Sequence, residues 1–371
     1  MSKYKYILIL PIMFFSLMFT ACNKKNEEIN IGLVVGLSGK YSSLGTSIRD
    51  GFVLAFDEIN NKIGDKRVNI IQKDDQQDKN KAKKIIKYFI EKDIKLVVGN
   101  ATSSMTAVSL PLINKQKDML MISATSSSDD FSAIDDNFLR IQVEHSDKRY
   151  QSLLNFVKTN KYQKIFFIYD SKNYKYAKGY ENIFQNMFIN SGGEKFVGKA
   201  DLNSPYENIT KKLKATKHDL ILVIGNSIDS ASIIQYLRIH KIDTQILGSG
   251  WAKTMDFIEN GGRSVEGVLF STGYDDHSKD KKFTQFIKNF KAKYNKTPSV
   301  FSAQGYELGQ ILIKNLQKSS DISTLKQRIL KTKKFEGLQG DIIFDKYGDV
   351  FREYFIMQVQ NKEYIKVNTK D

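Results

Sequence analysis

Two clusters of small hydroxyl residues carry most of the chemistry that this chain displays in its sequence. The first runs Gly99-Asn100-Ala101-Thr102-Ser103-Ser104-Met105-Thr106, and the second Ser123-Ala124-Thr125-Ser126-Ser127-Ser128-Asp129-Asp130. Each follows a short apolar run, Val97-Val98 in one case and Met119-Leu120-Met121-Ile122 in the other. A β-forming run, a hydroxyl cluster and then a periodic stretch read as strand, turn and helix start. In open parallel sheets such turns lie at the carboxyl ends of the strands, where ligands bind. Hydroxyls together with the free N–H groups of a helix N-terminus can hold an anion such as a carboxylate. The same residue types also serve simply as helix caps. Recurrence in two consecutive units is what marks a candidate binding site.

Catalytic patterns do not accompany these turns. The four histidines, His145, His218, His240 and His277, are scattered without metal spacing, and surface roles are expected for them. Gly248-Ser249-Gly250 is only a fragment of a nucleophile elbow. The glycines after the first strand, Gly36-Leu37-Ser38-Gly39, do not form a dinucleotide fingerprint, and there is no P-loop. Asp74-Asp75-Gln76-Gln77-Asp78 lacks the Gly and Glu of a calcium loop and reads as a turn capping the next helix. A binding protein is therefore expected rather than an enzyme, with no cofactor and no metal. A hydrolase would need a His or acid within reach of a cleft Ser.

The elements that must position the turns alternate regularly. Strands are predicted at Ile31–Val35, Val68–Gln72, Lys95–Gly99 and Met119–Ser123, with helices over Thr46–Asn60 and Lys79–Lys92. A second series has strands at Lys164–Asp170, Lys195–Val197, Asp219–Ile224, Gln245–Gly248 and Val265–Ser271, with helices over Tyr180–Ser191 and Ser230–His240. Helices Lys281–Tyr294 and Gln304–Gln317 follow, then strands at Ile342–Phe344 and Phe351–Gln358 around an Asp345–Gly348 turn. The alternation predicts an α/β fold with mainly parallel sheets. Two similar series favour two lobes over one wide doubly wound domain.

Composition excludes other classes. The 371 residues, 41% hydrophobic and 12% aromatic, suffice for a folded core. The formal charge of +16 is spread along the chain, on what look like outer helix faces such as Lys81, Lys83, Lys84 and Lys87. Without a zinc-finger, aromatic RNA-binding or basic-zipper pattern, this is solvated surface and not a nucleic-acid site. At the start, a basic Met1–Lys5 precedes apolar Tyr6–Phe19, and Phe19-Thr20-Ala21 places small residues just before the single Cys22. This reads as an export signal. Its end resembles a bacterial lipobox, which implies acylation of Cys22 and anchoring to a membrane, facing the periplasm or the cell exterior.

In this order and spacing, the residues resemble the type I periplasmic binding proteins of the branched-chain amino acid transporter family. The resemblance rests on Gly36-Leu37-Ser38-Gly39, Asp57-Glu58-Ile59-Asn60-Asn61, Asp74-Asp75, the two hydroxyl turns, Tyr169-Asp170 through Tyr174, and Gly305-Tyr306-Glu307. It implies two Rossmann-like lobes joined by three crossings, expected near 140–147, 272–275 and 345–348. The expected division is a signal peptide over 1–21, a tether over 22–30, a first lobe of 31–142 plus 275–345, and a second of 143–274 plus 346–360. It implies that Ser103, with Ser104 beside it, binds a ligand carboxylate, and that Thr125 and Ser127 contribute backbone and hydroxyl groups. Tyr174 would close over the ligand and Phe301 line its side-chain pocket; Ser227 and Leu44 stand where the family has aromatics. Trp251 reads equally as a cleft residue or a lobe-surface anchor. One departure stands out: after the strand ending at Leu247 the family's amino acid binders place an acid, and here the turn reads Gly248-Ser249-Gly250-Trp251. Asp229, Asp147 and Asp275 remain as substitutes for it. The implied function is a lipid-anchored substrate-binding subunit that delivers an amino acid or related small carboxylate to an ABC permease and its ATPase. A sensor passing occupancy to a membrane receptor, with an amide or other ligand, is the alternative.

Overall fold

The computed structural model describes residues 28–367, so Cys22 and the export signal lie outside the described residues. The first strands are β1 (Glu28–Val35), β2 (Lys62–Ile63), β3 (Lys66–Asp74), β4 (Leu96–Gly99), β5 (Leu120–Ser123) and β6 (Phe138–Arg140). They form one sheet in the order β2-β3-β1-β4-β5-β6, parallel except where β2 turns back on β3. β4 and β5 are buried along their whole length, as expected of strands covered by helices on both faces.

A second sheet collects β7 (Ile165–Tyr169), β8 (Gly198–Asp201), β9 (Leu220–Ile224), β10 (Gln245–Ser249) and β11 (Leu269–Thr272). Between them and the chain end, β12 (Lys334–Glu336), β13 (Asp341–Phe344) and β14 (Val350–Phe351) make a small antiparallel sheet. β15 (Phe355–Gln360) and β16 (Glu363–Lys366) return to the second sheet, whose order is β16-β15-β11-β10-β9-β7-β8. The five strands β7 to β11 are parallel; β15 and β16 are antiparallel. The fold is thus two α/β lobes with mostly parallel sheets.

The chain passes between the sheets three times: after β6, after β11, and at residues 352–354 between β14 and β15. The last passage differs from the expected one. The Asp345–Gly348 turn is the β13–β14 hairpin of the first lobe, closed by Asp345 Oδ1, which accepts the N–H groups of Tyr347, Gly348 and Asp349. Asp349 then holds the buried Arg140 at 2.7 Å. An Asx-closed turn and an ion pair to β6 keep residues 346–351 with the first lobe, which alternation of apolar residues alone does not reveal.

Two further shifts of element ends matter for the site. The last long helix begins at Val300, not Gln304, because Ser299 and Ser302 cap it reciprocally. It packs against the Ser42–Asp57 helix through glycines: a Cβ at Gly51 would lie 1.8 Å from the Ser302 carbonyl oxygen, and one at Gly305 2.2 Å from that of Ile48. This close approach sets where Phe301 and Gln304 point. The helical stretch expected from Tyr180 already starts at Tyr174. The Asp74–Asp78 turn caps the next helix, with the Asp78 side chain accepting the Lys81 N–H at 2.8 Å. The expectation that all four histidines lie on the surface fails for His145, which is buried with 2% exposure. Its N–H donates to the Ser127 carbonyl, which draws it under the first crossing.

Candidate ligand site between the lobes

The two hydroxyl turns meet and lace together. Ser103 Oγ accepts the N–H groups of both Ser127 and Ser128 at 3.1 Å. Ser123 Oγ donates to the Asn100 carbonyl at 2.7 Å and accepts the Ser126 N–H, while Thr125 Oγ1 donates to the Ala101 carbonyl. These bonds exist because β4 and β5 are neighbours in parallel register, which brings their carboxyl-end turns side by side. Ser103 keeps its own O–H for donation, and it opens the Ser103–Ile113 helix, whose first N–H groups lie at the same point.

A cavity of about 40 Å³ lies against this edge. The first lobe lines it with Ala101, Thr102, Ser103, Thr125 and Leu44, and with Phe301 and Gln304 from the first turn of their helix. The second lobe contributes Asn173, Tyr176, Gly250 and Trp251, and the crossings contribute Gln142, Tyr274, Arg352 and Tyr354. Trp251 is buried, stacks on Tyr41 of the first lobe at 6.1 Å and meets Tyr176 edge-on at 5.7 Å. Its ring lies at the cavity and not on the outer surface of its lobe.

Charge at the cavity is one-sided. Its lining holds Arg149 and Arg352 and no carboxylate. Arg352 is neutralised: Nη2 donates to Glu307 at 2.6 Å, and Nη1 donates to the Tyr274 hydroxyl, which in turn donates to Glu307. Arg149, on the Asp147–Thr159 helix, donates to the Val143 carbonyl at 2.7 Å and to the Tyr176 hydroxyl at 3.4 Å, under the Tyr354 ring. It forms no ion pair among the described residues. Next to it His145 is held well below the usual histidine range by burial, then by Arg149 and Arg140.

Contacts across the cleft close it. The Tyr41 hydroxyl donates to Asp170 at 2.8 Å, and burial followed by that carboxylate raises its pKa far above the phenol range. Lys40 pairs with Asp229 at 2.6 Å, and Lys178 with Asp130 at 3.3 Å. The Ser104 N–H donates to Asn173 Oδ1, and its hydroxyl accepts the Lys175 N–H.

Of the expected ligand residues, the structure therefore gathers Ser103, Thr125, Trp251 and Phe301 at the cavity, with Leu44 beside them. Ser104 instead bridges the lobes. Ser127 is buried under the turn with no partner for its hydroxyl, and Ser227 is buried in the first turn of the Ser227–Ile239 helix. Tyr174 is 40% exposed and donates to Glu181 at 3.0 Å. Tyr176 takes its place because two helical steps turn a side chain by about 200°. Asp229 is engaged by Lys40, Asp147 is exposed, and Asp275 caps the His277 N–H. None of the three faces the cavity. Arg149, Tyr176, Gln304 and Arg352 were missed. The available signal for Arg149 was helical phase, since it repeats with Leu153 and Phe156 on the buried face.

Two parallel α/β lobes, three passages between them and a polar cavity at the strands' carboxyl ends define a two-lobed solute-binding protein. The comparisons agree: the periplasmic binding protein family matches residues 28–363, and the chain belongs to that family, one of exported binding proteins rather than enzymes. It is similar to Leu/Ile/Val-binding protein homolog 3 of Brucella melitensis, with 22% identity over 87% of this chain and 89% of that one. In fold it resembles the branched-chain amino acid transporter substrate-binding protein of Streptococcus pneumoniae, solved with isoleucine. That match has a TM-score of 0.80 and 22% identity, over 92% of this chain and 99% of that one. It also resembles an ABC transporter solute-binding protein of R. palustris solved with benzoate, with a TM-score of 0.81 and 17% identity, over 92% and 95% of the two chains.

Proposed function

We infer that this protein is the lipid-anchored substrate-binding subunit of an ABC importer and holds a small carboxylate, an amino acid or a relative of one, between its lobes. The observation that carries this reading is the cavity itself: a hydroxyl-edged, cationic pocket at the carboxyl ends of both sheets. Relatives with this fold take isoleucine in one case and benzoate in another, and both ligands present a carboxylate. In the proposed complex the Ser103 hydroxyl and the helix start behind it meet the carboxylate, and Phe301 and Trp251 flank the body. The three crossings act as the hinge, and the Ser104–Asn173 and Tyr41–Asp170 bonds latch the closed form that a permease recognises. The anchor is the acylated Cys22.

A thermal-shift screen with amino acids, amides and small carboxylates tests the ligand. A true ligand at about 100 times its dissociation constant adds about 2.7 kcal/mol to stability. No shift with any of them rejects the small-carboxylate reading. Mass spectrometry of the membrane fraction tests the anchor: Cys22→Ser abolishes the acyl mass and releases the protein, and an unmodified Cys22 refutes it.

A further inference from the structure

The charge balance of the cavity specifies its ligand more narrowly, on the premise that the cleft is the ligand site. Arg149 is 3% exposed and sits at the end of the cavity made by the crossings. A guanidinium stays protonated when buried, and a buried ion without a counter-charge is costly. Its near neighbour Arg352 shows what the fold does when it intends a buried arginine to be satisfied internally: Glu307 and Tyr274 enclose it. Arg149 has only a carbonyl, a tyrosine hydroxyl and aromatic faces. Glu144 lies on the same crossing, but its Oε2 is buried without a hydrogen-bond partner and it makes no ion pair with Arg149.

Two further groups are unpartnered at this cavity, Arg352 Nε and Gln304 Oε1, both on residues more than nine-tenths buried. The first adds a donor on the cationic side. The second is a single neutral acceptor. An ammonium group brings three donors and a charge, and Thr125 Oγ1 already donates to a carbonyl while Ser103 Oγ already accepts two N–H groups.

We propose that the cleft binds a monoanionic carboxylate that carries no ammonium group, with Arg149 as its counter-ion. The carboxylate lies between the Arg149 guanidinium and the Ser103 hydroxyl, and an apolar chain or ring rests against Phe301, Leu44 and Trp251. A zwitterionic amino acid would leave its ammonium beside an arginine with no carboxylate to meet it.

The test uses the full-length protein in detergent and matched probes: L-leucine against 4-methylpentanoate, and L-phenylalanine against 3-phenylpropanoate, within wider panels of short, branched and aromatic acids and their amino acid parents. Calorimetric titration is expected to show deaminated acids binding at least about tenfold more tightly than their parents. Arg149→Met is expected to weaken the acids by about ten- to a hundredfold and to leave the melting temperature of the free protein equal or higher. Arg149→Lys, which keeps the charge, is expected to retain the preference for the deaminated acid and serves if the Met variant does not fold. Amino acids that bind as tightly as their deaminated partners, or more tightly, overturn the proposal and leave the small-carboxylate reading standing. Binding of neither panel overturns both. An Arg149→Met protein that melts lower but keeps its acid affinity shows a structural arginine and overturns the proposal.

Discussion

The two walls of the cleft are built on different plans. The first-lobe wall is neutral and laced together: most of its turn hydroxyls and backbone N–H groups bond to one another across β4 and β5 before any ligand is considered, with the Ser127 hydroxyl and Gln304 Oε1 left unpartnered. The wall contributed by the crossings is charged and aromatic, with a counter-charge at one arginine only. A wall bonded to itself in this way offers shape and a few spare polar groups, and it is preorganised. The other wall stores an imbalance that only a third party can relieve. Rigidity and selectivity are thus assigned to different stretches of chain.

That contrast can be broken from its most strongly coupled point downward. Glu307→Gln removes the counter-charge of Arg352 and gives it the same isolation as Arg149; a loss of about 3–5 kcal/mol is expected in urea unfolding. A loss under about 1 kcal/mol would mean that the Glu307–Arg352–Tyr274 cluster is not what stabilises this wall. Ser103→Ala strands two buried N–H donors and should cost the first-lobe wall about 1–3 kcal/mol in the same assay. No loss would show that the two turns are held together by something other than the shared hydroxyl.

Acid distinguishes the walls as well. His145 is kept neutral in the fold, below its free value near 6.5, so under that pH the unfolded chain binds a proton that the native one refuses. Stability on this account is present above about pH 6.5 and falls as the pH drops, by at most about 1.4 kcal/mol per pH unit. His145→Phe should flatten that slope in a series of unfolding curves, and an unchanged slope assigns it to other groups. The smallest effect expected is that of Tyr41→Phe, which removes one bond across the cleft. It should weaken ligand binding by about 0.5–1.5 kcal/mol by calorimetry, with the free protein unchanged. Equal affinity would remove Tyr41–Asp170 from the closing contacts.

The first-lobe wall was legible in sequence and the other largely was not. A hydroxyl turn after an apolar strand is a local pattern, and Ser103 and Thr125 follow from it once β4 and β5 are known to be neighbours. Phe301 was found as a family position and Trp251 as the chain's one tryptophan, neither from spacing. Arg149 stands in Asp147-Lys148-Arg149, which looks like a solvated charge run. Its burial depends on a helix whose start, capped by Ser146, places Arg149 in phase with Leu153. Tyr174 was expected as a family position; in a helix that starts at Tyr174, it is Tyr176, two steps on, that turns to the cavity. The third passage was misplaced because an Asx-closed hairpin and a crossing share the same turn residues; the β13–β14 pairing and the bonds of Gly348 and Asp349 to Arg140 distinguish them.

Trp251 is the only tryptophan in the chain, and its ring is clamped between Tyr41 of one lobe and Tyr176 of the other. Any widening of the gap between the lobes must part that sandwich and let water reach the indole. The molecule therefore carries its own optical gauge of closure. Excited selectively over the tyrosines, the emission of this one indole shifts to the red as the lobes separate and back to the blue as they shut, with no label attached.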